Sequence, residues 1–395
     1  MKLHRILAEG CVAVLEAVLG QGLVLDRVLE TTFAANPRWG KRDRAFVAET
    51  VFEIVRWRRA LAFVADSEAF TALCAAQWRR MEIEIPGWWA WTGSGLEEMS
   101  SREGDLPNQP RAVRESIPDW LDARGELEIG PRWNAEISAL NRRAPVVLRV
   151  NRLLGSVAQA AGWLASEGIE TITVPQAPDA LQVIRGRIGK PLLATGRVEI
   201  QDAGSQRIAP MLNLAPGMRV IDACAGAGGK TLHAAALMRN QGEILALDVT
   251  PRKLGELERR AARAGATIIR TAVWDEATLS DLAGWADCVL IDAPCSGLGT
   301  LRRQPDLKWR LTESSLEKSC SLQAKVLRQY AALAKPGGSF VYATCSILPS
   351  ENEDQIDAVL AENPSYGLQE MLTVSPATDG SDGLFGARLE CRASA

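Results

Sequence analysis

The stretch MRVIDACAGAGGKTLHAAALMR, Met218–Arg239, contains the pattern that decides the fold. An apolar strand ends at Asp222, a glycine-rich turn follows, and an apolar helix begins near Lys230. The alternation continues from about residue 205 onward, with the strand candidates MRVIDAC, GEILALDV, TIIRTAV, ADCVLIDA and GSFVYATC. It predicts an α/β fold with a parallel, doubly wound sheet. Ligands of such sheets bind at the carboxyl ends of the strands, where DAC, LD, DAPC and TC fall.

Two interpretations fit the loop DACAGAGGKT, Asp222–Thr231. It departs from the phosphate-binding pattern GxxxxGK[ST] because Cys224 occupies the place of the leading glycine. As a nucleoside-cofactor loop it is complete: the next strand ends in Asp248, 19 residues after Gly229, close to the ~20 expected for an acid that binds ribose hydroxyls. An acid at this place suits an adenosine ribose and does not suit an NTPase. We therefore favour a nucleoside cofactor, with a P-loop NTPase as the weaker alternative.

Two further apolar runs end in turns that contain cysteine. VLIDAPCSGLGTLRRQPDLKWR places Cys295 three residues after Asp292, and FVYATCSILPSENED places Cys345 at the tip of its strand. A thiolate can add to C6 of cytosine or uracil, whereupon C5 accepts a methyl cation equivalent and a base removes the C5 proton. If the two strands are neighbours, Cys345, Asp292 and Cys295 provide the nucleophile, the acid and the base. A free cysteine is more often a small buried apolar residue, but both of these lie in polar turns.

Composition excludes several classes of function. The 395 residues contain eight cysteines without a CxxC pair and only two histidines, so we expect no metal site and no Ser–His or Cys–His catalysis. No run approaches the ~20 apolar residues that cross a bilayer, and Glu9 and Glu16 favour an amphipathic helix over a signal peptide. We expect a cytoplasmic, monomeric protein without membrane contact. The net charge is −3, although Arg38–Arg59 carries seven basic residues against three acids and is a candidate phosphate-binding face.

The pattern changes twice along the chain, which predicts three domains. Residues 1–140 have apolar residues at spacings of three and four, typical of helices. Residues 141–204 combine strand character in PVVLRVN and ETITV with helix character in SVAQAAGWLASEG, which predicts a small α/β module. Residues 205–395 contain the strand–helix alternation and the candidate site.

These motifs resemble those of the RNA cytosine-5 methyltransferases of the Sun/Fmu (RsmB-like) type, which use S-adenosylmethionine (SAM). The most specific matches are DAPCSGLGTLRRQPDLKW and YATCSILPSENED, while VEIQDAGSQ and DGLFGARL also match, so the resemblance covers nearly the whole chain. It implies that residues 205–395 form a Rossmann-like SAM-dependent methyltransferase domain. The helical N-terminus, above all KRDRAFVAETVFEIVRW, is similar to the NusB-like RNA-binding domain of members that act on ribosomal RNA.

The resemblance implies catalytic roles for three residues. Cys345 would attack C6, Cys295 would assist release of the methylated product, and Asp292 would lie between cofactor and cytosine near N3. In DNA cytosine-5 methyltransferases the nucleophile is the cysteine of the PC turn, so a second cysteine in TC is the RNA-type arrangement.

The resemblance also implies a cofactor site. The methionine end of SAM would lie against the loop formed by Cys224, Ala225, Gly226, Ala227, Gly228, Gly229 and Lys230. Asp248 would hold the ribose, and Asp275 in AVWDEA is the candidate for a further acid after the third strand. Gly226-Ala227 stands where the family has Ala-Pro, which predicts a more flexible loop, and Lys253 replaces an arginine of the cofactor site. Neither change removes a group that the reaction needs.

The expected substrate is single-stranded or bulged RNA, because the target base has to leave its stack to reach Cys345. The basic residues after the PC turn are predicted to bind flanking phosphates: Arg302, Arg303, Lys308 and Arg310. On the N-terminal resemblance we predict ribosomal RNA as the substrate. Two alternatives stay open: a transfer-RNA cytosine-5 methyltransferase, and a non-catalytic RNA-binding or ribosome-assembly factor that retains the SAM fold. A binding factor has no need of both thiols, Asp292 and Asp248.

Overall fold

The computed structural model describes residues 3–275 and 280–392. The chain divides into two compact units, Met1–Arg142 with Thr300–Glu313, and Arg143–Gly299 with Ser314–Ala395. The predicted division into three domains stays a prediction, because compactness groups the small module with the large sheet. Within the described ranges, we find no helix that combines the length and the apolar character needed to cross a membrane.

The first unit is helical, as the spacing of its apolar residues predicts. Val47, Val51 and Ile54 share one face of the third helix and are fully buried. That helix begins where the backbone N–H of Gly40 donates to the Asp43 carboxylate at 2.9 Å. The helices are α1 Arg5–Leu15, α2 Leu25–Ala35, α3 Lys41–Arg56, α4 Arg58–Ala65, α5 Phe70–Arg80, α6 Leu96–Asp105, α7 Arg111–Arg114, α8 Asp119–Ile129, α9 Trp133–Leu140 and α15 Leu307–Arg310, with a π-helical turn at Glu16–Gly20 and 3₁₀ turns at Leu106–Asn108 and Gly130–Arg132.

The second unit begins with a small antiparallel sheet in the order β2-β3-β1-β4. The sequence predicted two of these strands and the helix between them. The helix begins at a reciprocal cap between Ser156 and Gln159. The elements are β1 Val147–Val150, α10 Val157–Ser166, β2 Glu170–Val174, β3 Ala177–Arg185, α11 Lys190–Ala194, β4 Val198–Ile200 and α12 Ala203–Gln206.

The large sheet has seven strands in the order β10-β11-β9-β8-β5-β6-β7. The five strands predicted from the sequence are parallel. Two further strands extend the sheet: β11 pairs antiparallel with β9, and β10, at the edge, pairs antiparallel with β11. The elements are β5 Arg219–Asp222, α13 Gly229–Leu237, β6 Glu243–Asp248, α14 Pro251–Ala264, β7 Ile269–Val273, β8 Ala286–Asp292, α16 Glu313–Ala331, β9 Ala334–Thr344, α17 Glu353–Glu362, β10 Tyr366–Val374, α18 Pro376–Asp379 and β11 Leu384–Cys391, with 3₁₀ turns at Ala209–Leu212, Leu298–Thr300 and Pro349–Glu351.

Alternating strand residues bury against helices on both faces of this sheet. Ile221 and Ile291 belong to one core, with residues of α16 and α17. Val220 and Leu290 belong to the other core, with residues of α13 and α14. The doubly wound α/β fold predicted from the sequence is therefore confirmed, and its carboxyl edge positions the candidate site.

Candidate active site

The carboxyl ends of four neighbouring strands bring the predicted polar residues to one edge of the sheet. Strands β9, β8, β5 and β6 are adjacent in that order. They end at Thr344, Asp292, Asp222 and Asp248. Cys345 follows β9 directly, and Cys295 lies three residues beyond β8. Residues that are far apart in the sequence therefore share one site.

The two predicted cysteines form a pair, with their Sγ atoms 3.3 Å apart. Backbone hydrogen bonds hold the two turns together: Ala293 N–H donates to the Ala343 carbonyl at 2.8 Å, and Gly299 N–H donates to the Cys345 carbonyl at 2.9 Å. Glycine is required at position 299, since a Cβ there would lie 1.9 Å from the carbonyl oxygen of Gly383. The strand-end turns thus create a dithiol site that neither motif specifies alone.

The two thiols differ in acidity because they share a hydrogen bond. The bond from the Cys295 thiol lowers the pKa of Cys345, against the opposing effect of burial, and the nearby Lys230 ammonium adds to the lowering. The same hydrogen bond, followed by burial, raises the pKa of Cys295 well above its ordinary value. Cys345 is therefore the better thiolate, and Cys295 stays protonated beside it.

An ion pair lies next to the thiols. Lys230, in the first turn of α13, donates from Nζ to Asp292 Oδ2 at 2.7 Å. Burial opposes the charge on this lysine, but the attraction of Asp292 outweighs it and raises the pKa of Lys230. The sequence placed Lys230 with the cofactor loop only, whereas in the structure it also pairs with Asp292 and acts on the Cys345 thiol.

A buried carboxylate connects the two cysteine turns. Glu351 is 0% exposed. It accepts hydrogen bonds from the Ser296 backbone N–H at 2.7 Å, from the Ser296 hydroxyl, and from Gln323 Nε2 at 2.9 Å. The Ser296 hydroxyl also lies 3.4 Å from the Ser346 hydroxyl of the second turn. Glu351 therefore anchors the residue that follows Cys295 and helps to fix the spacing of the thiols.

A polar cavity of about 460 Å³ opens between the glycine loop and the ends of β5, β6 and β8. Of its three acids, Asp248 and Asp222 are held differently. Asp248 accepts from Gly226 N–H at 2.9 Å and from Thr250 N–H at 2.8 Å. Asp222 accepts from the Thr231 hydroxyl at 2.6 Å, while its buried Oδ1 receives no hydrogen bond from the described residues. Burial raises the pKa of Asp222 to about 7.

An apolar cavity of about 360 Å³ adjoins the polar one and shares Cys224, Asp248, Lys253 and Pro294 with it. Its walls include Trp274, which directly follows β7, and Tyr330 on α16. The two cavities together provide an apolar compartment, a central carboxylate and a backbone-lined polar compartment, which matches the order of groups in a nucleoside with a polar tail.

Comparison with known proteins identifies the family. The family model of 16S rRNA methyltransferase RsmB/F matches residues 209–390, and the model of the RsmF/B-like ferredoxin-like domain matches residues 117–187. The probable ribosomal RNA small subunit methyltransferase B of Synechocystis is 34% identical over 300 residues, which cover 70% of this chain and 67% of that protein. The chain belongs to the RsmB/F family. The predicted Sun/Fmu-type resemblance is thereby confirmed.

Other relatives support membership in RsmB/F. The probable ribosomal RNA small subunit methyltransferase B of Bacillus subtilis is 34% identical over 66% of this chain and 59% of that protein. The ribosomal RNA small subunit methyltransferase B of Klebsiella pneumoniae is 36% identical over 68% of this chain and 62% of that protein. The chain thus spans roughly three fifths to two thirds of these relatives, from 59% to 67% of their length.

Solved structures share the fold of this RsmB/F chain. PH0851 superposes with a TM-score of 0.78, and the match covers 99% of both chains at 22% identity. A methyltransferase homolog from Pyrococcus horikoshii gives a TM-score of 0.64 and 27% identity over 71% of this chain and 97% of that chain. The ferredoxin-like match begins at residue 117, so it crosses the domain boundary predicted at residue 140. The NusB-like character of the N-terminal helices stays a prediction.

The cavities fit SAM, the cofactor of this methyltransferase fold. Asp222 Oδ1 accepts no hydrogen bond from the residues that the structure describes, and the ammonium of the methionine end would supply a donor. Asp248 lies where the two cavities meet and is placed for ribose hydroxyls. Trp274 and Tyr330 offer apolar surface for a planar base. The glycine loop leaves room for a ligand, since a Cβ at Gly226 would meet no atom within 4 Å.

The remaining cofactor predictions fall at the margin of this site. Lys253 Nζ lies 3.9 Å from Asp248 Oδ2, and its side chain is 50% exposed. Asp275 is exposed, two residues beyond β7, and its role stays a prediction. Sequence reasoning missed Trp274 and Tyr330. An aromatic residue directly after a strand end was a usable signal for Trp274, whereas Tyr330 comes from a helix with no motif.

The structure buries two of the four basic residues that the sequence predicted to bind RNA. Lys308 is fully buried within the helical unit, and its Nζ donates to the Arg56 carbonyl at 2.8 Å and to Asn141 Oδ1 at 3.0 Å. Burial lowers the pKa of Lys308 well below its ordinary value. Arg302 is also buried. Neither side chain is available to a phosphate.

The other basic residues predicted to bind RNA are partly exposed to solvent. Arg303 and Arg310 are partly exposed and stay predicted phosphate contacts. Arg310 Nε also donates to Asp306 Oδ2 at 2.9 Å, so a phosphate would compete with that carboxylate. In the predicted basic face Arg38–Arg59, Arg56 is buried and donates to the Arg302 carbonyl at 3.1 Å. That face is therefore less basic than the sequence suggests.

Proposed function

We propose that this chain transfers a methyl group from SAM to C5 of a cytosine in ribosomal RNA. The observation that carries the proposal is the dithiol, 3.3 Å between Sγ atoms, beside the ion pair of Lys230 with Asp292. C5 of cytosine is a poor nucleophile until a thiolate adds to C6, so this carbon requires a cysteine that methylation of a ring nitrogen does not. The relatives' names, ribosomal RNA small subunit methyltransferase B, support the ribosomal substrate.

The first step is addition of Cys345 Sγ to C6 of the flipped cytosine. The electron pair displaced from the C5–C6 double bond moves into the ring, and a proton donated at N3 neutralises it. Asp292 and Lys230 share a hydrogen bond next to Cys345, so this pair is placed to hold the cytosine edge and to supply that proton. C5 then carries enamine electron density toward the cofactor cavity.

SAM, when bound, supplies the methyl group from its sulfonium. Removal of the C5 proton falls to Cys295, whose pKa is raised first by its hydrogen bond to Cys345. When Cys345 is bonded to carbon, its negative charge is gone, so the pKa of Cys295 falls. The Cys295 thiol then releases its proton to solvent and is available as a thiolate. The electrons of the C5–H bond re-form the C5–C6 double bond, and Cys345 leaves as a thiolate. N3 then returns its proton to the pair of Lys230 with Asp292, which restores neutral cytosine and the proton donor.

The test is methyl transfer from tritiated SAM to ribosomal RNA that lacks its modifications, followed by denaturing electrophoresis. We expect the wild type to label the RNA at cytosine C5, Cys345→Ala to label none, and Cys295→Ala to accumulate a protein–RNA adduct. The control is Cys391→Ala. Because β11 runs antiparallel to β9, Cys391 lies at the opposite edge of the sheet.

Three outcomes would contradict the proposal in different ways. Full labelling by Cys345→Ala would remove the covalent mechanism. Label that appears only in transfer RNA would change the substrate and keep the chemistry. SAM binding without labelling of any RNA would favour a binding or assembly factor. Size measurement of the active species tests the further proposal that the protein acts as a monomer.

A further inference from the structure

Two arginines from outside the glycine loop hold its backbone carbonyls. Arg260 on α14 donates from Nη1 to the Ala227 carbonyl at 2.5 Å. Arg149 on β1 donates from Nη1 to the Gly229 carbonyl. The loop is therefore fixed from two sides, by a helix of the methyltransferase fold and by a strand of the small sheet.

The small sheet also holds the arginines in place. Arg149 and Glu199 are direct partners on the neighbouring strands β1 and β4. Glu199 accepts from Arg260 Nη2 at 3.0 Å and from Arg263 Nη2 at 2.9 Å. Arg149 also donates to Gln201 Oε1 at 2.5 Å. The Glu199 side chain is only 10% exposed and that of Arg260 only 15%, so solvent weakens these ion pairs little.

The loop has a physical need for this support. Gly226 and Gly228 have φ values of +55° and +86°, a region that glycine enters at low cost. The same freedom has to be lost when a ligand binds, at roughly 1–2 kcal/mol for each ordered residue. Residue 227, between the two glycines, is an alanine and does not restrict φ as a proline would. Contacts that order the loop before binding reduce this cost.

We propose that Arg149 and Arg260 are positioning residues that preorganise the glycine loop for the methionine end of SAM. The small sheet thereby forms part of the cofactor site, although its residues line the loop and not the reacting atoms. This inference rests on the proposed SAM-dependent function. It predicts that loss of the arginine contacts weakens binding of the methionine end and leaves the adenosine end unaffected.

The test compares two ligands by titration calorimetry, SAM and 5′-methylthioadenosine, which lacks the amino-acid end. The variants are Arg260→Met and Arg260→Lys, since lysine keeps the charge but cannot bridge Ala227 and Glu199. The matched control is Arg259→Met, because Arg259 on the same helix has a side chain 68% exposed and pairs with Glu256, three residues away on that helix. Thermal unfolding of each variant measures any general loss of structure.

We expect Arg260→Met to lower the affinity for SAM roughly five- to tenfold, which corresponds to the loss of about one hydrogen bond. The affinity for 5′-methylthioadenosine should change less than about twofold. Arg149→Lys should act in the same direction. Glu199→Gln alone should lower the affinity for SAM. Combined with Arg260→Met it should lower that affinity little further, because Glu199 acts through Arg260. Slower hydrogen exchange of residues 224–230 in the wild type than in Arg260→Met would show the ordering directly.

Two results would overturn the inference without touching the function. One is an equal loss of affinity for both ligands in Arg260→Met, which would indicate a general structural defect. The other is unchanged SAM affinity in Arg260→Met and Arg149→Lys. Failure of the wild type to bind either ligand would instead overturn the cofactor assignment, and the positioning role with it.

Discussion

The turn that contains Cys295 is followed almost directly in the sequence by the basic segment Thr300–Glu313, and the predicted positions of the cysteines and of the basic residues had opposite outcomes. Cys295 and Cys345 are 50 residues apart in the chain, yet their Sγ atoms are 3.3 Å apart, as neighbouring strands require. Lys308 was predicted to face RNA and is instead fully buried against the Arg56 carbonyl. Both predictions began from residue type and position.

The difference lies in the rule that supports each prediction. Ends of parallel strands meet at one edge of a sheet whatever the side chains are, so a residue one to three positions beyond a strand is placed by topology. A basic run has no such rule, because the same lysine faces solvent or the protein interior depending on what packs over it. Five experiments test this contrast.

The largest effect is expected for Lys230→Met. Loss of the ammonium removes the partner of Asp292 and the positive charge that helps lower the pKa of Cys345. We expect kcat to fall by about 10² to 10⁴ and the pH optimum to rise, since the thiolate then needs a higher pH. Lys318→Met, on the exposed side of α16, is the control. An unchanged pH profile would show that Lys230 does not influence the pKa of the Cys345 thiol.

A smaller effect is expected for Glu351→Gln. The amide keeps one acceptor but directs N–H groups at the donors Ser296 and Gln323, which loosens the turn that carries Cys295. We expect the rate of release of methylated RNA to fall roughly ten- to a hundredfold, with about 1–3 kcal/mol lost in unfolding free energy. Adduct lifetime on denaturing gels measures the first quantity. Normal release in a destabilised protein would reduce Glu351 to a structural role.

Lys308→Met separates burial from RNA binding. Methionine fills similar volume but leaves the Arg56 carbonyl and Asn141 Oδ1 without their donor. We expect a loss of about 1–3 kcal/mol in unfolding free energy and no change in the salt dependence of RNA affinity. Denaturant unfolding and binding at several salt concentrations measure both. A weaker salt dependence at unchanged stability would restore the original prediction.

The pH dependence of SAM binding tests Asp222. Its pKa is raised to about 7 by burial, so in the ligand-free protein the carboxylate is mostly neutral below that pH and charged above it. The ammonium of SAM requires the charged form, so affinity should rise between pH 6 and pH 8. We expect up to roughly a tenfold change, with a flatter profile in Asp222→Asn. An identical profile in that variant would place the ammonium elsewhere.

The smallest effect is expected for Arg303→Gln. Arg303 is a partly exposed member of the basic segment. Removal of a single phosphate contact should lower RNA affinity a few fold and reduce the salt slope by about 1, with unfolding free energy unchanged. Together with Lys308→Met, this variant shows whether any of the segment binds RNA. If the salt dependence of RNA affinity equals that of the wild type, Arg303 does not contact a phosphate.

The sequence predicted the parallel strands more completely than the elements around them. Five strands of the large sheet were predicted because continuous apolar runs are unambiguous between helical segments. Strands β10 and β11 were missed, since β10 has mostly exposed residues and no apolar run. In the small sheet, β3 and β4 were missed for the same reason, because APDALQVIR and VEI mix polar and apolar residues.

The proposed chemistry of this protein follows from its sequence alone. The dithiol motifs, the glycine loop, Asp248 and Asp292 were identifiable because the proposed reaction requires each residue type and a strand end places each residue. Tertiary structure alone decided which neighbouring residues hold these groups in position or change their pKa values. Lys230 beside Asp292, Glu351 beneath the turns, Tyr330 in the apolar cavity and Arg149 on the loop are contacts between distant segments. Such contacts depend on packing geometry, which no local pattern of residues encodes.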